Sequence, residues 1–434
     1  MSTIQTIKNI CWHLPKSIFY NIRYGFPARK LILIGVTGTD GKTTTATLIH
    51  HVLQQNGYKA GLITTIGAKI GDKEFNTGLH TTSPDPSLLQ KLFSDMVHAG
   101  LDYAVCEVTS HALDQYRYWG CNFEVSLITN ISHEHLDYHK TIKSYIRSKA
   151  RLFIQSKVSV LNRDDISFKI IKDLITSDPI SYSIENKSDY QAKNIKLSDD
   201  SLEFSVDDER IVTDSPYEYQ VYNILAALAV CRHIGVSSTD FSKNIRHFPD
   251  TKGRREEVAN EYGIRTIVDF AHTPAALDST LSSLKKVTKG KLIVIFGATG
   301  GRDKTKRPSM GKNVTEIADI AIVTADDTRT EDVNDINRQI ISGVDLTKVQ
   351  YHENSDISDG SVTDIRKNLS KHCQLFNIPN RQDAFNLAVK LAVPGDTIIA
   401  CGKGHETTIL HGTTEYPWSE TEAFRTAFRF LNLT

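Results

Sequence analysis

The chain has 434 residues, of which 40% are hydrophobic and 24% are charged, as in an ordinary soluble globular protein. Fifty-one basic residues balance fifty-one acidic ones, which argues against a dominant nucleic-acid surface. The sequence has no apolar run long enough to span a bilayer, no secretion-signal pattern and no CxxC pair among its six cysteines. We therefore expect a cytoplasmic protein of about three domains, with no nucleic-acid partner and no transmembrane segment.

Residues 1–29 carry apolar side chains at near-helical spacing, among them Ile7, Ile10 and Phe19. This pattern predicts an N-terminal helical stub that packs on the body of the protein. The alternative is a membrane-surface anchor, because aromatic and basic residues suit a lipid interface. Pro15 interrupts the pattern and the basic charge is modest, so we favour the packed helix.

Residues 30–248 alternate apolar runs with helical stretches, which predicts a central, P-loop-type, doubly wound α/β domain. Its first strand is predicted at Leu31–Val36 and its first helix from about Thr43 to Gln55. Further strands are expected at 61–66, 103–108 and 125–130. Short segments separated by polar residues between about 157 and 215 favour antiparallel strands appended to this core.

Residues 249–434 repeat the alternation and predict a C-terminal, Rossmann-like α/β domain. Its strands are expected at 264–270, 291–297, 319–325 and 396–401. Each of them is followed by a polar segment: Asp269–Pro274, Gly297–Arg307, Asp326–Arg329 and Gly402–Glu406. Parallel sheets bind ligands at the carboxyl ends of their strands, so these four segments predict a ligand site.

The strongest local signal is the turn that follows the first strand, Gly35-Val36-Thr37-Gly38-Thr39-Asp40-Gly41-Lys42-Thr43-Thr44. Its glycines let backbone N–H groups approach phosphate oxygens, and the helix N-terminus adds positive potential. Lys42 can bridge terminal phosphates, and the Thr43 hydroxyl can ligate Mg²⁺. The usual spacing has glycine where Val36 stands, so the motif is a GxxGxxGKT variant. A turn that binds nothing is the alternative, which this combination of residues disfavours.

Other polar residues of the first half have two interpretations each. Glu107 ends an apolar strand, where a carboxylate can hold Mg²⁺ or can be an ordinary strand-end charge. Residues 131–139 contain three histidines and two acids, and His135 and His139 are four residues apart. Zinc is therefore an option, although no HExxH pattern is present. Lys149, on a predicted helix, would be read from composition alone as part of a solvated face.

The motifs, taken in order, resemble those of the Mur ligases, ATP-dependent amide-bond ligases of peptidoglycan precursor synthesis. Within that family the resemblance is to the ligases that join an amino acid to a UDP-N-acetylmuramoyl-dipeptide. The matching segments are TGTDGKTTT (37–45), TTSPDP (81–86), EVTSHAL (107–113), HEHLDYH (133–139), SKARLF (148–153), VYN (221–223), GRREEV (253–258), DFAHTPAAL (269–277), GGRDKTKRP (300–308), DDTRTED (326–332) and GKGHE (402–406).

This resemblance implies that ATP phosphorylates a substrate carboxylate and that an amine then attacks the acyl phosphate, releasing phosphate. It implies ATP and Mg²⁺ as cofactors. Apart from the resemblance, we expect a monomer. The implied catalytic residues are Lys42, Glu107, His135 and Lys149. The implied metal ligands are Thr43, Glu107, His135 and Lys149, with Lys149 carbamylated by CO₂. The implied nucleotide contacts are Gly38, Thr39, Asp40, Gly41, Lys42, Thr43, Thr44, Asn130, Asn223, Arg254, Asp269 and His272.

The resemblance also implies two substrate sites. Acceptor positions are matched by Thr81, Thr82, Thr109, Gln115 and Arg117. Amino-acid positions are matched by Arg302, Asp326, Asp327, Arg329, Gly402 and Glu406. Family members that add meso-diaminopimelate carry the motif D-N-P-R, which reads D-D-T-R here. Arg329 can pair bidentately with a carboxylate, and Asp327 can attract an ammonium group. We therefore expect diaminopimelate as the amine, with lysine or another diamino acid as the rival.

The family usually carries an N-terminal domain that grips the UDP-sugar, whereas about thirty residues precede the phosphate-loop strand here. This difference leaves the UDP part of the acceptor open. It favours two alternatives: a folylpolyglutamate-like ligase, or a ligase for a lipid-linked or capsule acceptor. A catalytically inactive binding paralogue is disfavoured by the retained Lys42, Glu107 and Lys149. A simple P-loop kinase is disfavoured by the second α/β domain.

Overall fold

In the computed structural model the chain divides into two compact units, Met1–Pro249 (unit 1) and Asp250–Thr434 (unit 2). The structure describes residues 3–77, 83–198, 200–215, 217–248, 251–353, 362, 364–366 and 372–431. Each unit is built around one large sheet. Within the described residues, none of the helices combines the length and the apolar character that a bilayer crossing requires.

Unit 1 begins with a helical stretch that the sequence pattern predicts correctly. Its parts are α1 (Thr3–Lys8), a π-helical turn (Asn9–His13), α2 (Leu14–Arg23) and a 3₁₀ turn (Pro27–Lys30). Pro15 does not end the stretch, because it lies in the first turn of α2, where the proline nitrogen needs no helical hydrogen bond.

This stretch packs on the body of unit 1 through its polar side. Asn9, Ser17 and Asn21 are buried, whereas Ile7 and Phe19 are exposed. The polar side of this stretch therefore makes the packing contact. The helical spacing identifies the two sides of a helix, but it does not identify which side meets the protein.

The remaining elements of unit 1 form one eleven-stranded sheet with helices on both faces. The strands are β1 (Ile32–Thr37), β2 (Ala60–Thr64), β3 (Gly67–Ile70), β4 (Lys73–Phe75), β5 (Tyr103–Glu107), β6 (Phe123–Ile128), β7 (Ser156–Asn162), β8 (Ile180–Ser183), β9 (Tyr190–Leu197), β10 (Leu202–Val206) and β11 (Glu209–Thr213). The helices are α3 (Lys42–Gln55), α4 (Pro86–His98), α5 (Ser110–Asp114), α6 (Leu136–His139), α7 (Ile142–Ile154), α8 (Ser167–Lys172), α9 (Gln220–Ile234) and α10 (Ser238–Ile245).

The strand order is β11-β10-β9-β8-β7-β6-β1-β5-β2-β3-β4. β1 lies between β5 and β6 and is parallel to both, and Val36 of β1 lies opposite Glu107 of β5. The prediction of antiparallel strands after residue 157 is correct for β9 to β11 and wrong for β7 and β8, which pair in parallel. The side chains on both faces of β1 are buried, since Leu33 and Ile34 belong to separate core clusters.

Unit 2 contains a seven-stranded sheet and a two-stranded hairpin. The strands are β12 (Glu256–Glu257), β13 (Arg265–Asp269), β14 (Leu292–Phe296), β15 (Ile320–Val323), β16 (Val349–His352), β17 (Cys373–Asn377), β18 (Thr397–Cys401), β19 (Thr408–His411) and β20 (Thr414–Pro417). The helices are α11 (Pro274–Val287), α12 (Arg307–Ile317), α13 (Val333–Ile341), α14 (Arg381–Leu391) and α15 (Glu420–Leu431).

The order of the larger sheet in unit 2 is β12-β13-β18-β14-β15-β17-β16, and all pairs except β12–β13 are parallel. The four strands predicted from the sequence are β13, β14, β15 and β18, and their carboxyl ends lie at one edge of the sheet. Sequence reasoning missed β16, β17 and the β19–β20 hairpin. The short apolar run Leu375–Phe376, which ends before Pro379, was the available signal for β17.

Candidate functional site

The phosphate loop of unit 1 connects β1 to α3 and is tightly packed. Gly38 and Gly41 have φ angles of 144° and 81°, in the region that favours glycine. A Cβ on Gly38 would lie 1.9 Å from Thr129 Oγ1, and a Cβ on Gly41 would lie 2.3 Å from Asn223 Oδ1. These two positions therefore exclude any other residue in this conformation.

Two asparagines predicted as nucleotide contacts support this loop. Asn130 accepts a hydrogen bond from the Thr39 amide through its carbonyl oxygen at 2.8 Å, and from the Asp40 amide through Oδ1 at 3.0 Å. Asn223 Oδ1 accepts a hydrogen bond of 3.2 Å from Thr45 Oγ1. The Asn130 side chain thus holds the backbone of the loop, and that of Asn223 holds the Thr45 side chain at the start of α3.

Three predicted catalytic and metal-binding residues meet at the Glu107 carboxylate. Thr43 Oγ1 donates a hydrogen bond of 2.9 Å to Glu107 Oε2. Lys42 Nζ lies 4.0 Å from Glu107 Oε1 and donates to the carbonyl oxygen of Thr39 at 2.6 Å. Thr65 also donates to Glu107 Oε2, from its amide and from its hydroxyl, both at 3.0 Å. Sequence reasoning missed Thr65, although its position directly after β2 was a signal.

This group fits a magnesium ion by the chemistry of its donors. Mg²⁺ prefers oxygen ligands, and Thr43 and Glu107 present a hydroxyl and a carboxylate in direct contact. Across the described residues, no three side chains of the types His, Cys, Asp and Glu lie close enough together to hold a metal ion. The hydroxyls of Thr43 and Thr65, at 2.9 and 3.0 Å from Glu107 Oε2, supply further oxygen atoms beside the carboxylate.

Lys149 lies on α7 beneath the phosphate loop and is 1% exposed, so it does not belong to a solvated face. Its Nζ donates a hydrogen bond of 2.6 Å to the carbonyl oxygen of Gly38. Burial, reinforced by the positive charge of Lys42, lowers the pKa of Lys149 well below its ordinary value. Burial therefore shifts this side chain toward its neutral form.

His135 and Lys149 converge on the same aromatic ring. The Tyr145 ring centroid lies 6.0 Å from that of His135 and 4.6 Å from Lys149 Nζ. The His139 ring centroid also lies 5.2 Å from that of Tyr145, and its Nε2 lies 3.0 Å from Ser110 Oγ. Burial lowers the pKa of His139 to about 3. The structure thus places both histidines and Lys149 around the Tyr145 ring.

Three predicted acceptor residues lie together around Ser83. Ser83 Oγ accepts a hydrogen bond of 3.1 Å from the Thr109 amide. Arg117 donates to the Ser83 carbonyl oxygen, and its Nη2 donates to Gln115 Oε1 at 2.8 Å. Burial lowers the pKa of Arg117 from its ordinary value. Thr81 and Thr82 lie outside the described residues.

In unit 2, three residues predicted to contact nucleotide surround Phe270. The Arg254 guanidinium lies 4.2 Å from the Phe270 ring centroid, and the His272 ring lies 4.7 Å from it. The Asp269 carboxylate accepts hydrogen bonds from the amides of Arg255 and Ala271 at 2.9 and 2.8 Å. Burial raises the pKa of Asp269 despite the nearby positive charges of the two arginines.

The residues predicted to bind the amino acid meet at a buried lysine that sequence reasoning did not select. Lys403 Nζ donates to Asp327 Oδ1 at 2.7 Å and lies 2.5 Å from Glu406 Oε2. Burial alone would raise the pKa of Asp326, but the charge of Lys403 lowers it below its ordinary value. A Cβ on Gly402 would lie 2.7 Å from Asp326 Oδ2. The GKGHE segment, which contains Lys403, was the sequence signal that could have identified this lysine.

The two predicted substrate arginines of unit 2 differ in their surroundings. Arg302 is exposed. Arg329 has a φ angle of 51°, and its backbone bonds to the β19–β20 hairpin through Leu410 and Gly412 at 3.2 and 2.7 Å. Its buried Nε has no hydrogen-bond partner among the described residues. Arg329 therefore retains a donor for a ligand.

Comparisons with known proteins decide the family. The family model of the Mur ligase middle domain matches residues 36–231, and that of the Mur ligase glutamate ligase domain matches residues 253–404. The chain is 36% identical over 406 residues to UDP-N-acetylmuramoyl-L-alanyl-D-glutamate–2,6-diaminopimelate ligase 1 of Clostridium acetobutylicum, with 92% of this chain and 78% of that protein covered. The chain belongs to the Mur ligase family.

Other relatives agree with this assignment. A UDP-N-acetylmuramyl-tripeptide synthetase of Roseiflexus is 33% identical over 429 residues, covering 94% of this Mur ligase and 80% of that protein. A solved UDP-N-acetylmuramoyl-L-alanyl-D-glutamate–2,6-diaminopimelate ligase is 27% identical with a TM-score of 0.62, covering 96% of this chain and 83% of that one. Folylpolyglutamate synthase of Mycobacterium tuberculosis reaches a TM-score of 0.70 at 16% identity, with coverage of 96% and 95%, which shows a shared fold alone.

Membership of the family confirms the predicted fold class and reaction type. This Mur ligase has a P-loop-type middle domain and a Rossmann-like C-terminal domain. It is an ATP-dependent ligase that forms a carbon–nitrogen bond, and the family uses ATP and Mg²⁺.

Proposed function

We propose that this Mur ligase joins a diamino acid, meso-diaminopimelate, to the carboxylate of a muramoyl-peptide acceptor. The names of its relatives in Clostridium and Roseiflexus support the muramoyl acceptor, and those of several relatives support diaminopimelate. Arg329 supports a substrate that carries an extra carboxylate. Lysine or another diamino acid is the alternative amine.

The contact between Thr43 and Glu107, with Lys42 beside it, is the observation that carries this proposal. The loop amides and Lys42 bind the phosphates of ATP, while Thr43 and Glu107 hold Mg²⁺. When bound, the metal would neutralise negative charge on the phosphoryl oxygens. The acceptor carboxylate oxygen bonds to the γ-phosphorus as the bond to ADP breaks. The amine nitrogen then bonds to the acyl carbon, and phosphate and a proton leave.

We propose that Lys149 is carbamylated and, together with His135, assists the metal site. Only a neutral amine reacts with CO₂, and burial favours that form of Lys149. The Lys149 nitrogen would bond to the carbon of CO₂ and lose a proton, leaving an anionic carbamate beside the loop carbonyl of Gly38. A carbamate offers oxygen ligands that an ammonium group lacks.

The remaining site residues divide by unit in this proposal. In unit 1, Thr109, Gln115 and Arg117 bind the acceptor, together with Thr81 and Thr82. In unit 2, Arg254, Asp269 and His272 contact the nucleotide. The amino acid is bound by Arg302, Asp326, Asp327, Arg329, Gly402 and Glu406.

Within that group we propose an indirect role for Asp327. Its Oδ1 already accepts hydrogen bonds from Lys403 Nζ and from the Leu410 amide at 2.9 Å. We therefore assign Asp327 to holding the loop rather than to attracting a free ammonium group. Arg329 is left as the main charged contact for the amine substrate.

We also propose that the protein acts as a monomer in the cytoplasm. All six cysteines are free thiols, as a reducing compartment requires, and the cytoplasm supplies ATP.

A substrate panel with phosphate release as its readout tests the proposal. Acceptors would be UDP-muramoyl-dipeptide, a lipid-linked muramoyl peptide and a folate; amines would be diaminopimelate, lysine and glutamate. We expect release to require a muramoyl acceptor and diaminopimelate together. Release with folate and glutamate, or release indifferent to every substrate, would contradict it.

The carbamate has its own test. We expect Lys149→Ala to abolish amide formation and short carboxylates such as formate to restore part of it. Lys59→Ala, at a solvent-exposed lysine of unit 1, is the matched control and should stay active and indifferent to formate. Full activity in Lys149→Ala would remove the carbamate from the mechanism.

A further inference from the structure

The helical stretch of residues 3–23, here called the N-terminal helix, has the reverse polarity of an ordinary surface helix. Such a helix normally buries apolar residues and exposes polar ones. Here Asn9, Ser17 and Asn21, spaced by four and eight residues, are buried. Asn9 Nδ2 donates to Asp114 Oδ2 at 2.7 Å, and Asn21 Nδ2 donates to the Trp119 carbonyl oxygen at 2.9 Å. These hydrogen bonds fix which side of the helix faces outward.

The outward side of the N-terminal helix is apolar. Trp12, Phe19 and Ile22 are spaced so that they share one face, and they are 67%, 58% and 63% exposed. Ile7 and Ile10 are exposed as well. Five of the fourteen exposed large hydrophobic side chains among the described residues therefore lie within sixteen residues. A patch of this kind marks an interaction surface.

The charge of this segment points to the chemistry of the partner. Residues 1–30 contain five basic residues and no acidic one, although the whole chain is balanced. Lys16 pairs with Asp85 at 2.8 Å, whereas Lys8 and Arg23 are exposed on the helix and Arg29 and Lys30 are exposed in the turn that follows it. Aliphatic and aromatic side chains bordered by exposed cations match an anionic lipid interface.

We propose that the N-terminal helix docks this protein on the surface of an anionic lipid bilayer. Trp12, Phe19 and Ile22 enter the headgroup region, and the surrounding cations face the lipid phosphates. A second copy of the chain fits this face less well, because a symmetric contact would bring the exposed Lys8 and Arg23 of both copies together. The proposal concerns attachment to the surface, and it is independent of which substrates the ligase uses.

Vesicle binding by the full chain tests the proposal. Co-sedimentation would compare vesicles of phosphatidylcholine alone with vesicles that also contain phosphatidylglycerol. We expect binding to the anionic vesicles that weakens as salt is added, because salt screens the cations. Lipids brominated in their acyl chains should quench the fluorescence of Trp12. Absence of binding to anionic vesicles would overturn the proposal.

Matched variants distinguish vesicle binding through this face from non-specific hydrophobic adsorption. The triple variant Trp12→Ser/Phe19→Ser/Ile22→Ser should lose vesicle binding, and Lys8→Gln and Arg23→Gln should each weaken it about fivefold. Ile154→Ser/Ile166→Ser, at two equally exposed hydrophobic residues of unit 1, is the control and should bind as the unaltered chain does. Thermal unfolding checks that each variant is folded.

Two results from these variants would overturn the proposal. One is a triple variant that binds vesicles unchanged. The other is an unaltered chain that forms dimers in sedimentation equilibrium and ignores vesicles, while the triple variant is monomeric. The second result would assign the face to a second copy of the chain.

Discussion

Five buried or half-buried cations, two in unit 1 and three in unit 2, have different kinds of partner. In unit 1, Lys42 and Lys149 each donate to a backbone carbonyl oxygen of the phosphate loop, at 2.6 Å. In unit 2, Lys403 contacts two carboxylates, Arg381 pairs with Glu420 at 2.8 Å, and Arg307 pairs with Glu331 at 2.9 Å. The two groups are similar in residue type and differ in the charge of what they touch.

This difference separates cations that bind ligands from cations that hold the fold. A protonated lysine that donates to an uncharged carbonyl oxygen can still use its positive charge to bind a phosphate group. A deprotonated lysine in the same place can react as an amine. A cation between carboxylates is already neutralised, and its removal leaves a buried negative charge without a partner. Substitutions of Lys42 and Lys149 should therefore change activity, and those of Lys403, Arg381 and Arg307 should change stability. A substitution of Arg329 in unit 2 should instead affect substrate binding, because its buried Nε has no hydrogen-bond partner among the described residues.

The largest effect is expected at the buried pair of Arg381 and Glu420. Arg381→Met should lower the free energy of unfolding by about 3–5 kcal/mol, because Glu420 stays buried and charged. The double variant Arg381→Met/Glu420→Leu should recover most of that loss. Urea unfolding followed by fluorescence of Trp418, whose Nε1 donates to Glu420 at 2.6 Å, measures both. A double variant as unstable as the single one would contradict the role of the charge.

A substitution of Lys42 tests whether the cations of the phosphate loop matter for activity rather than for stability. Lys42→Met should reduce kcat for ATP-dependent phosphate release by about 10²–10³-fold, because a positive charge at the phosphates is lost. The free energy of unfolding should change by about 1 kcal/mol, because the bond to the Thr39 carbonyl is lost and Glu107, 4.0 Å away, keeps its hydrogen bonds from Thr43 and Thr65. Lys91→Met, at a surface lysine paired with Asp95, is the control. A loss of stability as large as that of Arg381→Met would contradict the assignment of Lys42 to ligand binding.

Arg329 is the exception in unit 2 and should behave like a ligand-binding residue. Arg329→Gln should raise KM for diaminopimelate by about 10–100-fold, as expected when a charged hydrogen bond to a carboxylate is lost. Kinetics with variable amine concentration measure this value. Arg338→Gln, at an exposed arginine of α13, should leave KM unchanged. An equal rise in both variants would contradict a specific contact.

The smallest effect concerns the pH dependence of stability at Lys149. Its folded pKa lies below the ordinary value of 10.5, so the unfolded chain binds more protons between the two values. Stability should therefore rise with pH in that window, because fewer protons favour the folded state. Lys149→Met lacks this titration, so its stability advantage over the unaltered chain should shrink as pH increases toward 10.5. A constant difference would contradict a depressed pKa.

Local pattern was sufficient to predict several parts of this molecule. Glycines at positions 38 and 41, followed by Lys42 and Thr43 after a continuous apolar run, predict a phosphate loop between a strand and a helix because backbone geometry limits which residues fit there. The alternation of apolar runs with helical stretches was also sufficient to predict the strands that end near Glu107 and Asp269. The pattern did not predict β7 and β8 as parallel strands, because pairing direction depends on distant chain segments.

The sequence by itself determined the order of the elements, the loop chemistry and the family to which they belong. Only the tertiary structure decided which charges are neutralised, such as Asp327 by Lys403, and that Lys149 is buried rather than solvated. It also decided that the polar side of the N-terminal helix faces the protein. The physical reason is that local spacing follows from covalent geometry, whereas burial and charge pairing arise from residues far apart in the chain.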